Sequence, residues 1–185
     1  MEGSVDLGPL TTDRSVYRDW LTRWYGIVAP AVVLDDFSFA GWLPQAELRL
    51  ARLSSDLRQL GADPNAMPTC PYLPPVENPA VAVGCAYVLE GAALGGGIVA
   101  AAISRGAVGR NWPVAFVTGD GDRRGARWRA FRIAAEQWAC DTDRPDRAVS
   151  AAVETFAACE RWFTPYGSGQ HAGVERSEAL HDLAR

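Results

Sequence analysis

The stretch GCAYVLEGAALGGGIVAAAI, residues 84–103, decides the fold. It sits inside a longer apolar run that opens at Asn78-Pro79 and closes at Gly106. Asn-Pro is a helix start signal and Gly a stop signal, so the run reads as one helix. Between Pro79 and Ser104 its one charged residue is Glu90. Length alone admits a membrane span. A carboxylate near the middle of a span is expensive, however. The other helical segments are amphipathic, so this one reads as the buried central member of a soluble bundle.

Five glycines interrupt the run, at 84, 91, 95, 96 and 97. Each costs about 1 kcal/mol relative to Ala in a helix interior, so each needs a reason. Gly84, Gly91 and Gly95 share a face that carries no side chains. Two readings follow. Another helix packs against the bare stripe, or a flat ligand lies on it. Three consecutive glycines at 95–97 weaken the helix locally, allow it to bend and favour the ligand.

Helical periodicity spreads outward from this element. A first helix starts near Thr12 or Asp13, either of which can cap it, and carries Tyr17, Trp20, Leu21, Trp24 and Val28 on one face; Pro30 is expected to end it. Residues 34–42 read as a packed connection. A second helix has Pro44 in its first turn and Gly61 as its cap. Its buried stripe is Ala46, Leu50, Leu53, Leu57 and Leu60, with Asp56 on another face. A proline-rich connection runs from Asp63 to Pro75. Val114–Thr118 is the one short β-branched run that looks like a strand. Two more helices follow. One spans about Arg124 to Ala139, with Trp128, Phe131, Ala135 and Trp138 inward. The other starts near Asp143 and Pro145, with Val149, Ala152, Val153, Phe156, Cys159 and Phe163 on its apolar side. The tail from 164 is rich in Gly, then charged, with room for a short helix at 175–183.

Composition bounds the function. The 185 residues are 48% apolar and 22% charged, enough apolar surface to offset the ordering entropy of a single all-α domain. All 18 basic residues are Arg and the net charge is -4, which disfavours nucleic acid. The four cysteines, at 70, 85, 140 and 159, form no CxxC pair. With two histidines only, a zinc site has no support. The thiols read as reduced and the protein as cytoplasmic, with no signal peptide visible in MEGSVDLGPL.

Residues 84–103 resemble the distal helix of bacterial haem oxygenases of the bacteriophytochrome-associated type, which carry a YVLEGS-x-LGG motif. TDRSVYRDWLTRWYGIVAP (12–30) resembles their LTD-x-x-x-Y…YGFYAP segment. RLSSDLRQLG (52–61), the LPP of 73–75, WRAF (128–131) and AVSAAVETFAACERWF (148–163) fall in the same order. The resemblance covers about residues 10–163. It implies an all-α, haem oxygenase-like bundle with a kinked glycine-rich central helix, and haem held between a proximal and a distal helix. The implied reaction takes haem, three O₂ and electrons from an external donor to biliverdin, Fe²⁺ and CO. The implied partners are haem or a bilin, a reductase and a phytochrome. Gly91 and Gly95 match the distal backbone positions, with Gly96 adjacent on the haem. Arg129 matches a basic position suited to a haem propionate, and Arg132 lies one turn on. Both also fit a solvated basic face. Glu90 carries no ligand role in the motif and is expected to face outward or to pair with an Arg.

Two departures stand out. The motif's Ser is Ala92 here. The family's iron-ligating His precedes the segment that matches Tyr17, and its position falls near Glu2 or before Met1, where this sequence has no His. The two histidines, His171 and His181, lie in the tail and read as exposed residues rather than ligands. Three explanations stay open: a start upstream of Met1, loss of the ligand, or its replacement. A non-catalytic protein of the same fold, binding haem, a bilin or another flat molecule, or acting through protein contacts, is therefore the competing reading.

Overall fold

A computed structural model describes residues 7–32, 43–106, 108–142 and 144–167. The expectations for 34–42, Asp143, His171, His181 and the 175–183 helix fall outside these residues. The described chain holds helices α1 (Gly8–Thr12), α2 (Arg14–Val32), α3 (Leu43–Gln59), α4 (Pro79–Ala92), α5 (Gly96–Arg105), α6 (Ala115–Thr118), α7 (Arg124–Asp141) and α8 (Pro145–Gly167), with short 3₁₀ turns in the connections from α3 to α7. No strand occurs among the described residues.

Local chemistry explains most boundaries. The Asp13 carboxylate accepts the Ser15 and Val16 N–H groups at 2.8 and 3.3 Å and caps α2. Pro30 lies inside α2 rather than ending it; the helix runs two residues further. Gly61 closes α3 with φ of 82°, and the Ala62 N–H returns to the Leu57 carbonyl. The Asn78 side chain accepts the Val81 N–H and caps α4.

The central run is two helices, not one. α4 stops at Ala92, Ala93–Gly95 form a 3₁₀ turn, and α5 resumes at Gly96. From Ala80 to Glu90 every residue of α4 is buried. In α5 only Ile103 is buried, and Ile98 is 67% exposed. The 27-residue span from Pro79 to Arg105 is long and apolar enough to cross a membrane by length and composition, but its first half is the core of the bundle.

Gly84 settles its own role. A Cβ there would collide with the Ala148 carbonyl oxygen and lie 2.8 Å from both Ala151 Cβ and Ala152 N. Its bareness lets α8 approach α4, which is helix packing. This contact also sets the inner face of α8. Ala151, Ala152, Thr155, Ala158 and Trp162 are buried, while Val153 and Phe156, expected inward, are exposed. Small residues are what the close approach admits.

Val114–Thr118 is not a strand. Ala115–Thr118 form one helical turn, and the Asp56 carboxylate of α3 accepts the Ala115 and Phe116 N–H groups at 3.3 and 2.8 Å. The carboxylate satisfies N-terminal donors that such a short helix leaves open. Asp56 is accordingly buried, not on an outer face.

Two apolar clusters result. One joins α4, α7 and α8 through Val81 to Leu89, Phe131 and Ala151. The other joins α2, α3 and α5 through Tyr17, Leu21, Leu53, Leu57 and Ile103.

Candidate functional site

The break between α4 and α5 opens onto a cavity of about 290 Å³. Trp20, Trp24 and Val28 of α2 and Phe116 of α6 form its apolar wall, and Ala92, Ala93, Gly95 and Gly96 line it from the break. A Cβ on Gly95 would meet nothing within 4 Å. That glycine is bare toward open space rather than toward a neighbouring helix. Gly96 is different, because a Cβ there would lie 2.5 Å from the Val117 carbonyl oxygen. Gly91 faces the edge of the Trp128 ring at 3.6 Å and does not line this cavity. Of the three glycines expected at the haem, the structure brings Gly95 and Gly96 to the cavity and places Gly91 beside it.

The polar wall is an ion network that sequence spacing does not disclose. Glu90 is buried and held by two guanidinium groups. Arg49 Nη2 donates to it at 3.0 Å, and Arg127 Nη2 and Nε donate at 2.7 and 2.8 Å. Arg127 Nη1 also reaches Asp120 at 2.8 Å, and Arg52 reaches Asp120 at 3.2 Å. Burial alone would raise the Asp120 carboxyl, but hydrogen bonds from Arg127 and Arg52 outweigh it and hold the group below its usual value. Arg49 Nη1 donates to the Leu89 carbonyl at 3.1 Å, one of the two carbonyls that accept the Ala93 N–H at the break. The network therefore ties α3 and α7 to the kink. Behind it lies a second cavity of about 520 Å³, also bordered by Arg52, Glu90, Asp120 and Arg127.

The expected propionate partners stand elsewhere. Arg129 is exposed on α7, Arg132 pairs with Glu136 at 3.5 Å, and neither lines either of these two cavities. The helix places them on its solvent side, while Arg124 and Arg127 turn inward to the cavity. The signal for these two was present as the crowd of arginines at 123–132, but its inward face could not be read without the partners. Glu90 pairs with arginines as expected, and inside the bundle.

These residues suit a flat, apolar molecule with anionic groups. They provide no iron ligand. Among the described residues no His, Cys, Tyr or Met lines the cavity, and these are the side chains that ligate haem iron. Among the described residues no cluster of three or more His, Cys, Asp or Glu could hold a metal ion. Of the four thiols, Cys70 and Cys85 are buried and Cys140 is exposed, and burial pushes Cys159 up to about 12. Cys70, Cys85 and Cys159 belong to the core.

The family model described as Heme oxygenase matches residues 46–165. No curated protein and no solved structure matches the chain. The matched segment runs from α3 to α8 and includes the broken glycine-rich helix and its ion network, while the α2 wall of the cavity, Trp20, Trp24 and Val28, lies before it. With well over half of its length matched, the chain belongs to the haem oxygenase family.

Proposed function

We propose that this chain binds haem against the α4–α5 break and opens it oxidatively to biliverdin, Fe²⁺ and CO, using O₂ as oxidant and electrons from an external donor. The observation that carries this reading is Gly95. It stands at the helix break, it lines the cavity, and a Cβ on it would meet no protein atom within 4 Å. Haem supplies the redox chemistry when bound; the chain supplies the surroundings. Gly95 leaves room beside the macrocycle. Trp20, Trp24 and Phe116 keep that room apolar and exclude water. The Glu90 network fixes the break through Arg49. The bacterial, phytochrome-associated type, a cytoplasmic setting, and a reductase and a phytochrome as partners belong to the same proposal. They rest on the sequence motif and the thiol usage.

A second reading has its own observation. The described lining holds no side chain of an iron-ligating type, and Ala92 stands where the motif has Ser. On this reading the protein binds haem, a bilin or another flat acid without cleaving it. The oxygenase reading requires an iron ligand that the described lining does not supply.

A haemin titration followed by visible spectra separates the two. The oxygenase reading expects a saturable one-to-one complex with a ligated-iron spectrum, then a bilin band on adding reductant and O₂. A haem spectrum left unchanged by reductant and O₂ overturns it in favour of the second reading.

A further inference from the structure

We propose that the outward face of α5 docks the protein on an anionic lipid surface, with the mouth of the cavity at the break turned toward the bilayer. The docking stands on the α5 surface itself. Only its consequence for the cavity rests on that cavity being the ligand site.

Leu94, Ile98 and Val108 are large apolar side chains left to solvent at the break, on α5 and just past its end. Ile98, Ala101 and Arg105 recur at helical spacing and share one face of α5, and all three are exposed. An apolar face left open marks an interaction surface, and its charge says of which kind. Between Glu90 and Asp120 the sequence holds no carboxylate and two arginines, Arg105 and Arg110, in a chain whose net charge is -4. Arg105 stands in the last turn of α5. A Cβ on Gly106 would lie 3.3 Å from the Thr11 carbonyl oxygen, so α1 packs beside the end of α5, and Gly8–Thr12 carries no charge. Apolar side chains with arginine and no carboxylate are the composition of an interfacial element. The former bury at the headgroup boundary and the latter pairs with anionic lipid. The outer face of α8 makes the contrast. Val153 and Phe156 are exposed there too, but Asp146 and Glu160, also exposed, share that face by spacing, and an anionic surface repels them.

The same face reaches the cavity. Ile98 lines it and is 67% exposed, so this side chain stands at its mouth, and Val99 lines it one residue on. Docking through α5 sets that mouth against the lipid. An apolar ligand then passes between bilayer and cavity without exposing its surface to water.

The test is co-sedimentation of the full, porphyrin-free chain with two kinds of vesicle, phosphatidylcholine alone and phosphatidylcholine mixed with phosphatidylglycerol. The chain should sediment with the mixed vesicles and hardly with the neutral ones, and added salt should weaken the binding. Ile98→Asp should weaken it roughly 10- to 100-fold, the worth of one buried apolar side chain. Arg105→Gln should weaken it roughly fivefold. Phe156→Asp, on the opposite kind of surface, should leave it unchanged. The comparison of the two vesicles needs no variant and stands even where a substitution fails to fold. No sedimentation with the mixed vesicles overturns the docking, and so does equal sedimentation with both. Loss of binding in Phe156→Asp to the extent seen in Ile98→Asp overturns the assignment to α5. Self-association that Ile98→Asp abolishes, without vesicle binding, gives the face to a second copy of the chain and overturns the lipid. None of these outcomes depends on haem being bound or cleaved, so the docking and the oxygenase reading fail separately.

Discussion

At the scale of single residues, Glu90 is the most constrained polar group of the site. Its side chain is 2% exposed and takes guanidinium donors from two helices. Removing one partner of a buried ion pair costs about 3–5 kcal/mol, because the other charge is left unpaired. Glu90→Gln leaves Arg49 and Arg127 facing a neutral amide, so a loss in that range is expected in urea denaturation. A loss below about 1 kcal/mol, the size of an exposed pair, would show that the network is solvated and does not hold the break. The sequence makes Glu90 conspicuous as the lone charge of an apolar run. Its partners are not legible, because they lie 41 and 37 residues away on other helices and no spacing rule reaches so far. The same holds for Asp56, whose polarity suggests an outer face until the α6 N-terminus it caps is seen.

At the scale of elements, the glycines of the central run divide into two kinds, and substitution tells them apart. Gly84→Ala forces a methyl group against α8 backbone, which cannot swing aside. Overpacking of this sort costs about 1–3 kcal/mol, and the melting temperature should fall. Gly95→Ala meets nothing, and its φ of -69° and ψ of -20° suit any residue. It should raise stability by up to about 1 kcal/mol through helix propensity. Gly95 lines the cavity, so porphyrin binding should weaken while the melting temperature holds or rises. A fall in melting temperature for Gly95→Ala would show that the position serves packing, as Gly84 does. The break itself was legible in outline, since three consecutive glycines signal a weakened helix. Which glycine faces a helix and which faces space was not, because Gly84, Gly91 and Gly95 share a face by spacing and differ only in what packs against them. α8 fails for a related reason. Periodicity offered Val153 and Phe156 as the inner face, whereas contact with a bare glycine selects alanines.

At the scale of the whole molecule, two carboxylates that tie helices together, Asp120 between α3 and α7 and Asp56 between α3 and α6, respond to acid in opposite directions. Asp120 sits below its usual value of 3.8, because Arg127 and Arg52 overcome the effect of burial. Its stabilising contribution is complete above that value and is lost as pH falls through the depressed folded-state pKa. Asp56 sits above 3.8, because burial outweighs the hydrogen bonds from Phe116 and Ala115. Its contribution is complete below 3.8 and is lost as pH rises through the raised folded-state pKa. Stability measured in urea at steps from about pH 7 to about pH 2.5 should therefore separate two variants. The gap between the unsubstituted chain and Asp120→Asn should be constant near neutrality and should close below 3.8. The gap for Asp56→Asn should shift above 3.8, with the unsubstituted chain gaining relative to the variant as acid is added. Parallel curves for Asp120→Asn across the whole range would mean that Arg52 and Arg127 do not favour its charged form.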